Sequence, residues 1–250
     1  MDGQTIRTRM LLGDAALDKL RRSRVAVFGL GGVGAYAVEA LARSGLGALE
    51  LIDNDTLAES NLNRQLLALH STLGQPKTEA AARRVRDIDP TIEVRCRRCF
   101  YLPETAGDFD FTTYDYVIDA IDTVTGKIQL VLQAREAGTP IISAMGTGNK
   151  LDPAALRVAD ISETRVCPLA RVMRKELRRR GVEHLKVVYS REEPITPKFQ
   201  PVPGQSASLP PEDPEAYGNN RRSVPGSSPF VPPAAGLIIA SAVTRDIIRA

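Results

Sequence analysis

The stretch Arg24-Val25-Ala26-Val27-Phe28-Gly29-Leu30-Gly31-Gly32-Val33-Gly34 decides the fold of this chain. A β-branched apolar run enters a glycine turn and leaves on a helical pattern, Ala35 to Ser44. Such a turn aims backbone amides at an anion held at the helix N-terminus. The next apolar run, Ala48 to Ile52, closes on Asp53, at the spacing expected for an acid that contacts a ribose hydroxyl. These two signals specify a nucleotide and leave its kind open.

Outward from this turn, strand and helix patterns alternate as stacked βαβ units do. The expected strands are Val25–Phe28, Leu49–Ile52, Glu93–Cys96, Tyr116–Ala120, Ile141–Ala144, Arg157–Asp160 and Leu185–Tyr189. The expected helices are Ala15–Arg22, Ala35–Ser44, Lys77–Asp87, Lys127–Ala137, Pro168–Arg180 and Pro233–Arg249. The fold class predicted is α/β: a Rossmann-like, doubly wound, mostly parallel sheet with flanking helices. Composition changes sharply after residue 190, where eleven of the 17 prolines fall between Pro194 and Pro233. This pattern predicts a nucleotide-binding domain over 1–190, a flexible proline-rich crossover over 191–229, and a C-terminal helix over 230–250 that packs back on the domain.

Hydrophobic content of 43% and charged content of 25% are ordinary for a soluble globular protein. A net charge of +3 is too small to imply nucleic-acid binding, so charge placement must carry that argument. Met1 to Gly13 lacks the pattern of a secretory leader. The apolar stretch Pro232 to Val243 is short of the roughly 20 residues that cross a bilayer. Three cysteines argue against a disulfide framework and for a reducing cytoplasm.

Three polar groups narrow the nucleotide. In Asn61-Leu62-Asn63-Arg64-Gln65, a helical turn puts Asn61, Arg64 and Gln65 on one face, either as a solvated surface or as a guanidinium fork and amides aimed at phosphate. Lys77 follows Pro76 into the first turn of a helix, where the helix dipole disfavours a cation unless a polyphosphate lies between them. Asp122 lies just past the strand that begins at Tyr116; it either caps the following helix or holds Mg²⁺ against phosphates.

Together these residues resemble the ubiquitin-activating-enzyme-like superfamily, whose members adenylate carboxylates. The matching pieces are Gly29 to Gly34, Leu51-Ile52-Asp53-Asn54-Asp55, Asn61 to Gln65, Gly74-Gln75-Pro76-Lys77 and Asp119-Ala120-Ile121-Asp122, collinear from Ile6 to Ala144. The resemblance implies ATP held by Gly29, Gly31, Gly32, Gly34, Asp53, Asp55, Asn61, Arg64, Gln65, Lys77 and Asp122, with Mg²⁺ on Asp122. Arg64, Lys77 and Asp122 are then the catalytic set, completed by Arg9 reaching into the site of a partner subunit, which implies a homodimer. Within the superfamily the chain is similar to the dehydratases that cyclise threonylcarbamoyladenosine in tRNA. Arg9 to Gly13, Asn63 to Ser71, Cys167 to Arg174 and Phe230 to Gly236 carry that likeness. It implies AMP transfer from ATP to the threonyl carboxylate, followed by ring closure that expels AMP.

A tRNA partner needs a basic surface. Arg165, Arg171, Arg174, Lys175, Arg178, Arg179 and Arg180 stand against Glu176, with smaller clusters at Arg83-Arg84-Arg86 and Arg95-Arg97-Arg98. Cys96 and Cys99 have the spacing of a zinc half-site, but Cys167 alone cannot complete a four-cysteine set, so strand-end roles are expected. Cys167 opens the basic helix, where a thioester role with a sulfur-transfer protein is the sharper reading and a structural role the plainer one. Two other functions stay open: adenylation of the C-terminal glycine of a sulfur-carrier protein, and NAD-dependent oxidoreduction, which leaves Arg64, Lys77 and Asp122 unexplained.

Overall fold

The computed structural model describes residues 3–199 and 225–250. Seven strands form one sheet in the order β3-β2-β1-β4-β5-β7-β6. The strands are β1 (Arg24–Phe28), β2 (Ala48–Ile52), β3 (Glu93–Arg97), β4 (Tyr116–Asp119), β5 (Ile141–Ala144), β6 (Leu156–Asp160) and β7 (Lys186–Ser190). All neighbours run parallel except β6, which pairs antiparallel with β7 at one edge. The helices are α1 (Ile6–Leu12), α2 (Asp14–Arg22), α3 (Gly34–Arg43), α4 (Lys77–Ile88), α5 (Val124–Ala137), α6 (Pro168–Arg178) and α7 (Val231–Arg249). The mostly parallel, doubly wound sheet expected from the sequence is the observed architecture, with strand ends within about one residue of expectation.

Alternate side chains of the strands feed opposite cores, as a sheet covered on both faces requires. Val25, Val27, Leu49, Leu51 and Ile118 pack with α3, α4 and α7. Ala26, Phe28 and Val117 face α5 and an aromatic cluster of Tyr101, Phe109, Phe111 and Tyr114. The Phe28 and Tyr101 rings meet edge to face, 4.9 Å apart.

Several boundaries move for local reasons. α6 stops at Arg178 rather than Arg180 because the chain turns left-handed at Gly181, φ 73°. α7 begins at Val231, two residues early, since prolines at its first positions lack no needed donor. α1 was not foreseen. Its Ile6, Met10 and Leu11 are 51%, 82% and 85% exposed, so no core-facing period marks it. The proline-rich crossover expected over 191–229 falls mainly on residues 200–224, outside the described residues.

By length and composition α7 is apolar enough to cross a membrane, at 19 residues, a correction to the shorter stretch expected from the sequence. It is instead packed into the core, where Val231, Ala235, Ile239 and Val243 are fully buried against α3. Gly236 permits this approach: a Cβ there would strike the Val33 carbonyl and come within 2.9 Å of Tyr36 Cβ. The far end of α7 is pinned to the amino edge of the sheet. Asp246 Oδ2 accepts from Tyr116 Oη at 2.7 Å and from Lys186 Nζ at 2.6 Å.

Burial pulls the Asp246 carboxyl upward, but the Lys186 ammonium and the Tyr116 hydroxyl outweigh it and hold the group below the usual carboxylate range. A depressed acid stabilises the fold above its unfolded pKa, and that contribution is lost as pH falls through the folded value. Asp246→Asn is therefore expected to lower the melting temperature at pH 7, by the equivalent of about 1 kcal/mol. The gap from the parent should close as the pH falls below about 4. Melting curves across that range check it; a constant gap would contradict the assignment.

Candidate nucleotide site

The strand order reverses between β1 and β4, and ligands of open α/β sheets lie beyond the carboxyl ends at such a point. The glycine turn is built there. Gly29 has φ 90°, and its amide donates to the Ile52 carbonyl at 2.8 Å. A Cβ on Gly29 would lie 2.7 Å from the Ala120 carbonyl, and one on Gly34 would strike the Gly29 carbonyl. These contacts let the turn fold tightly over the end of β4 and start α3. Among the described residues, the amides of Gly31, Gly32, Val33 and Gly34 donate to no protein acceptor. They lie in the turn leading into α3 and at its first residue, where helix-start donors have no intrahelical partner.

Arg64 and Gln65 arrive over this turn. A short helical segment at Glu59–Asn61 continues through hydrogen bonds from the Arg64 and Gln65 amides to the Asn61 carbonyl, at 3.1 and 2.9 Å. Arg64 Cγ lies 3.6 Å from the position a Cβ on Gly32 would take, and Gln65 Nε2 lies 3.8 Å from that of Gly31. Among the described residues, the Arg64 guanidinium donates only to the Ser60 carbonyl and the Asn63 side chain, both at 2.9 Å. No carboxylate pairs with it among the described residues, and burial pulls its pKa down. Gln65 Oε1 is buried with no partner. A half-buried cation and an orphaned amide beside four free N–H groups are incomplete without an anionic, hydrogen-bonding ligand.

Asn61 is buried with them, but its side-chain oxygen accepts the Ala58 amide at 3.1 Å and so holds its own turn. Its Nδ2 donates to no acceptor among the described residues, so Asn61 keeps a donor on the polar face it shares with Arg64 and Gln65.

On the β2 side, Asp53 is committed to the backbone. Its Oδ2 accepts the Leu30 amide at 2.6 Å and its Oδ1 the Asp55 amide at 2.8 Å, which ties the glycine turn to the end of β2. Burial raises its pKa, and Lys77, 4.0 Å from Oδ1, opposes that rise. Lys77 is 5% exposed at the start of α4, and its Nζ bonds Asp55 Oδ2 at 2.6 Å. Asp55 is itself exposed, so the Lys77 pair has one solvent-facing member that a phosphate can displace.

At the end of β4, Asp122 is exposed and makes no side-chain hydrogen bond among the described residues; Thr123 occupies the N-cap of α5. The capping alternative is thereby excluded. No group of three His, Cys, Asp or Glu that could hold a metal occurs among the described residues. One free carboxylate suits Mg²⁺ carried by phosphates, which keeps most of its shell as water.

The sequence reading missed the pair behind this edge. Asp119 and Lys127 are fully buried and bonded at 2.9 Å. Asp119 Oδ2 and Ser143 Oγ, on register partners of β4 and β5, have no partner. A lysine eight residues after a strand-end Asp is the one signal that pointed to it.

Arg9 is not brought to these groups within one chain; it pairs with Asp14 beside α2. Cys96 donates to the Thr78 carbonyl at 3.5 Å, and burial raises both the Cys96 and Cys99 thiols, so neither is poised as a metal-binding thiolate. Cys167 is 2% exposed, which shuts its thiol away from a sulfur-transfer protein.

A glycine turn at a topological switch point, with cations converging on free amides, defines a nucleotide-binding α/β protein. The chain belongs to the ThiF family, which matches residues 5–243. It is 41% identical over 247 residues to the tRNA threonylcarbamoyladenosine dehydratase of Bacillus subtilis, covering 98% of this chain and 95% of that one. Crystal structures of Escherichia coli tRNA N6-threonylcarbamoyladenosine dehydratase, TcdA, with ATP and with AMP superpose with TM-scores of 0.84 and 0.83 at 30% identity. They cover 98% and 97% of this chain, and 94% and 93% of theirs. A molybdopterin-synthase adenylyltransferase from Haemophilus influenzae aligns at 35% identity over 50% of this chain and 51% of its own length.

Proposed function

We propose that this protein is an ATP-dependent tRNA threonylcarbamoyladenosine dehydratase, working through an acyl-adenylate. The observation that carries the reading is the half-buried Arg64 guanidinium, without a carboxylate partner among the described residues, set over the free amides of the glycine turn. The near full-length likeness to the Bacillus subtilis dehydratase supplies the substrate class.

In this reading the glycine-turn amides and Gln65 seat the triphosphate, and Asp53 fixes the turn against the ribose. The threonyl carboxylate attacks the α-phosphorus and pyrophosphate leaves. Arg64, and Lys77 released from Asp55, hold the charge that builds on the phosphoryl oxygens. Asp122 is the residue that would hold Mg²⁺, whose role when bound is to neutralise phosphate charge. The carbamoyl group of the same nucleoside then attacks the activated carbonyl, closes a ring, loses a proton and expels AMP. The carboxylate oxygen departs in AMP, so the tRNA loses one water. Ring closure is intramolecular and needs no protein nucleophile.

The same reading makes residues 1–190 the adenylating domain, completed by the C-terminal helix. It also places Arg9 in the site of a second copy of the chain, in a cytoplasmic homodimer. The exposed Ile6, Met10 and Leu11 of α1 favour such a contact.

Incubation with ATP, Mg²⁺ and threonylcarbamoyl-bearing tRNA should yield a nucleoside lighter by one water, with AMP and pyrophosphate formed in equal amounts. ATP–pyrophosphate exchange that depends on a small carrier protein and ignores tRNA would replace this function with the sulfur-carrier alternative.

A further inference from the structure

The long basic run at α6 does not act as one surface. Ala170, Met173 and Leu177 bury its apolar stripe. Arg174 turns inward, donating to the Ile161 carbonyl at 3.2 Å, the Thr164 carbonyl at 2.9 Å and Thr164 Oγ1 at 2.5 Å, so it pins the turn that precedes the helix. Arg179 and Arg180 share Glu176, at 2.7 and 2.9 Å. In the smaller clusters Arg84 pairs with Glu39, Arg97 with the buried Glu50, Arg95 with Glu93, and Arg83 bonds Gln75, which leaves only the single cations Arg86 and Arg98 without a partner among the described residues.

On α6 itself, Arg171, Lys175 and Arg178 remain. They are exposed, spaced i, i+4 and i+7 along one stripe, and have no carboxylate partner among the described residues. With Arg174 and Arg179 they line a groove of about 370 Å³. Like charges on successive turns repel, and among the described residues no carboxylate pairs with them. A chain of phosphates does. The stripe also has a direction. α6 opens at Cys167, whose Sγ lies 3.5 Å from the place of a Cβ on Gly146, just past β5. β5 neighbours β4, which leads to Asp122. The groove therefore starts at the edge of the sheet that holds the nucleotide site.

Resting on the function proposed above, the geometry points to Arg171, Lys175 and Arg178 as a docking stripe for the phosphodiester backbone of the substrate tRNA. The backbone runs along α6 while the modified nucleoside reaches the strand ends. No aromatic side chain stands on the stripe, so it grips phosphates and reads no bases.

The test is the triple variant Arg171→Gln, Lys175→Gln, Arg178→Gln, with a tRNA transcript titrated by fluorescence anisotropy across salt concentrations. Affinity at low salt should fall at least tenfold, and the slope of log affinity against log salt should shrink by about 2–3. KM for ATP should not move. Arg180→Gln should leave tRNA affinity within about twofold, because Arg180 stands outside the groove and is paired with Glu176. A triple variant with parental affinity and slope overturns the stripe while leaving cyclisation by the parent standing. A parent that neither binds nor modifies tRNA overturns both.

Discussion

Asp122→Ala is expected to abolish measurable AMP release and ATP–pyrophosphate exchange, a loss of at least about 10³-fold. The carboxylate stands exposed beyond β4 and bonds nothing among the described residues, so its removal strips no structural contact. Stability should stay within about 0.5 kcal/mol, as for other exposed positions. The oligomeric state and the melting curve serve as controls. The same edge carries Arg64 and Lys77, which supply positive charge; the acid has a purpose there only if another cation rides on the phosphates. An Asp122→Ala protein that still forms AMP at the parental rate would remove the metal role from this residue.

Lys127→Met is expected to destabilise the protein by about 3–5 kcal/mol, the cost of leaving a buried carboxylate without its partner. Both groups of the Asp119–Lys127 pair are wholly inaccessible, and Asp119 already has one oxygen unsatisfied. Lys127 therefore leaves behind a charge with no hydrogen bond at all. Pairing the substitution with Asp119→Leu should restore most of the lost stability, since two apolar side chains fill the space without a stranded ion. Denaturant melts of the three variants decide this. A single Lys127→Met variant as stable as the parent would mean that water reaches the site. The pair spans the end of β4 and the start of α5, so it braces the loop bearing Asp122. The double variant should thus fold well and still lose activity.

These two residues mark where reading the chain succeeds and where it stops. Asp122 and Lys77 were legible because each sits at a junction that local chemistry announces, a strand end or a proline-led helix start. The glycine turn was legible because only glycine allows its left-handed residue and its close approach to β4. Other features were hidden. Asn61 spends its side-chain oxygen on the Ala58 amide of its own turn, a partner that spacing alone does not reveal. Arg174 lies in a run of arginines and yet faces the protein. Arg97 and Arg84 are neutralised by Glu50 and Glu39, each more than forty residues away. α1 went unseen because its apolar side chains face outward.

The strand positions, most helix positions and the nucleotide turn follow from the chain read alone, because hydrophobic period and turn conformation depend on residues within about four positions of one another, whereas the order of strands in the sheet does not. Which charges stay free for a ligand is settled by the packed molecule. An arginine is available to phosphate only if no distant carboxylate or carbonyl has taken it, and folding brings those partners together across tens of residues. Lys77 with Asp55, Lys127 with Asp119 and Arg174 with Thr164 are such meetings, and Arg64, Arg171, Lys175 and Arg178 are among the cations that no carboxylate claims among the described residues.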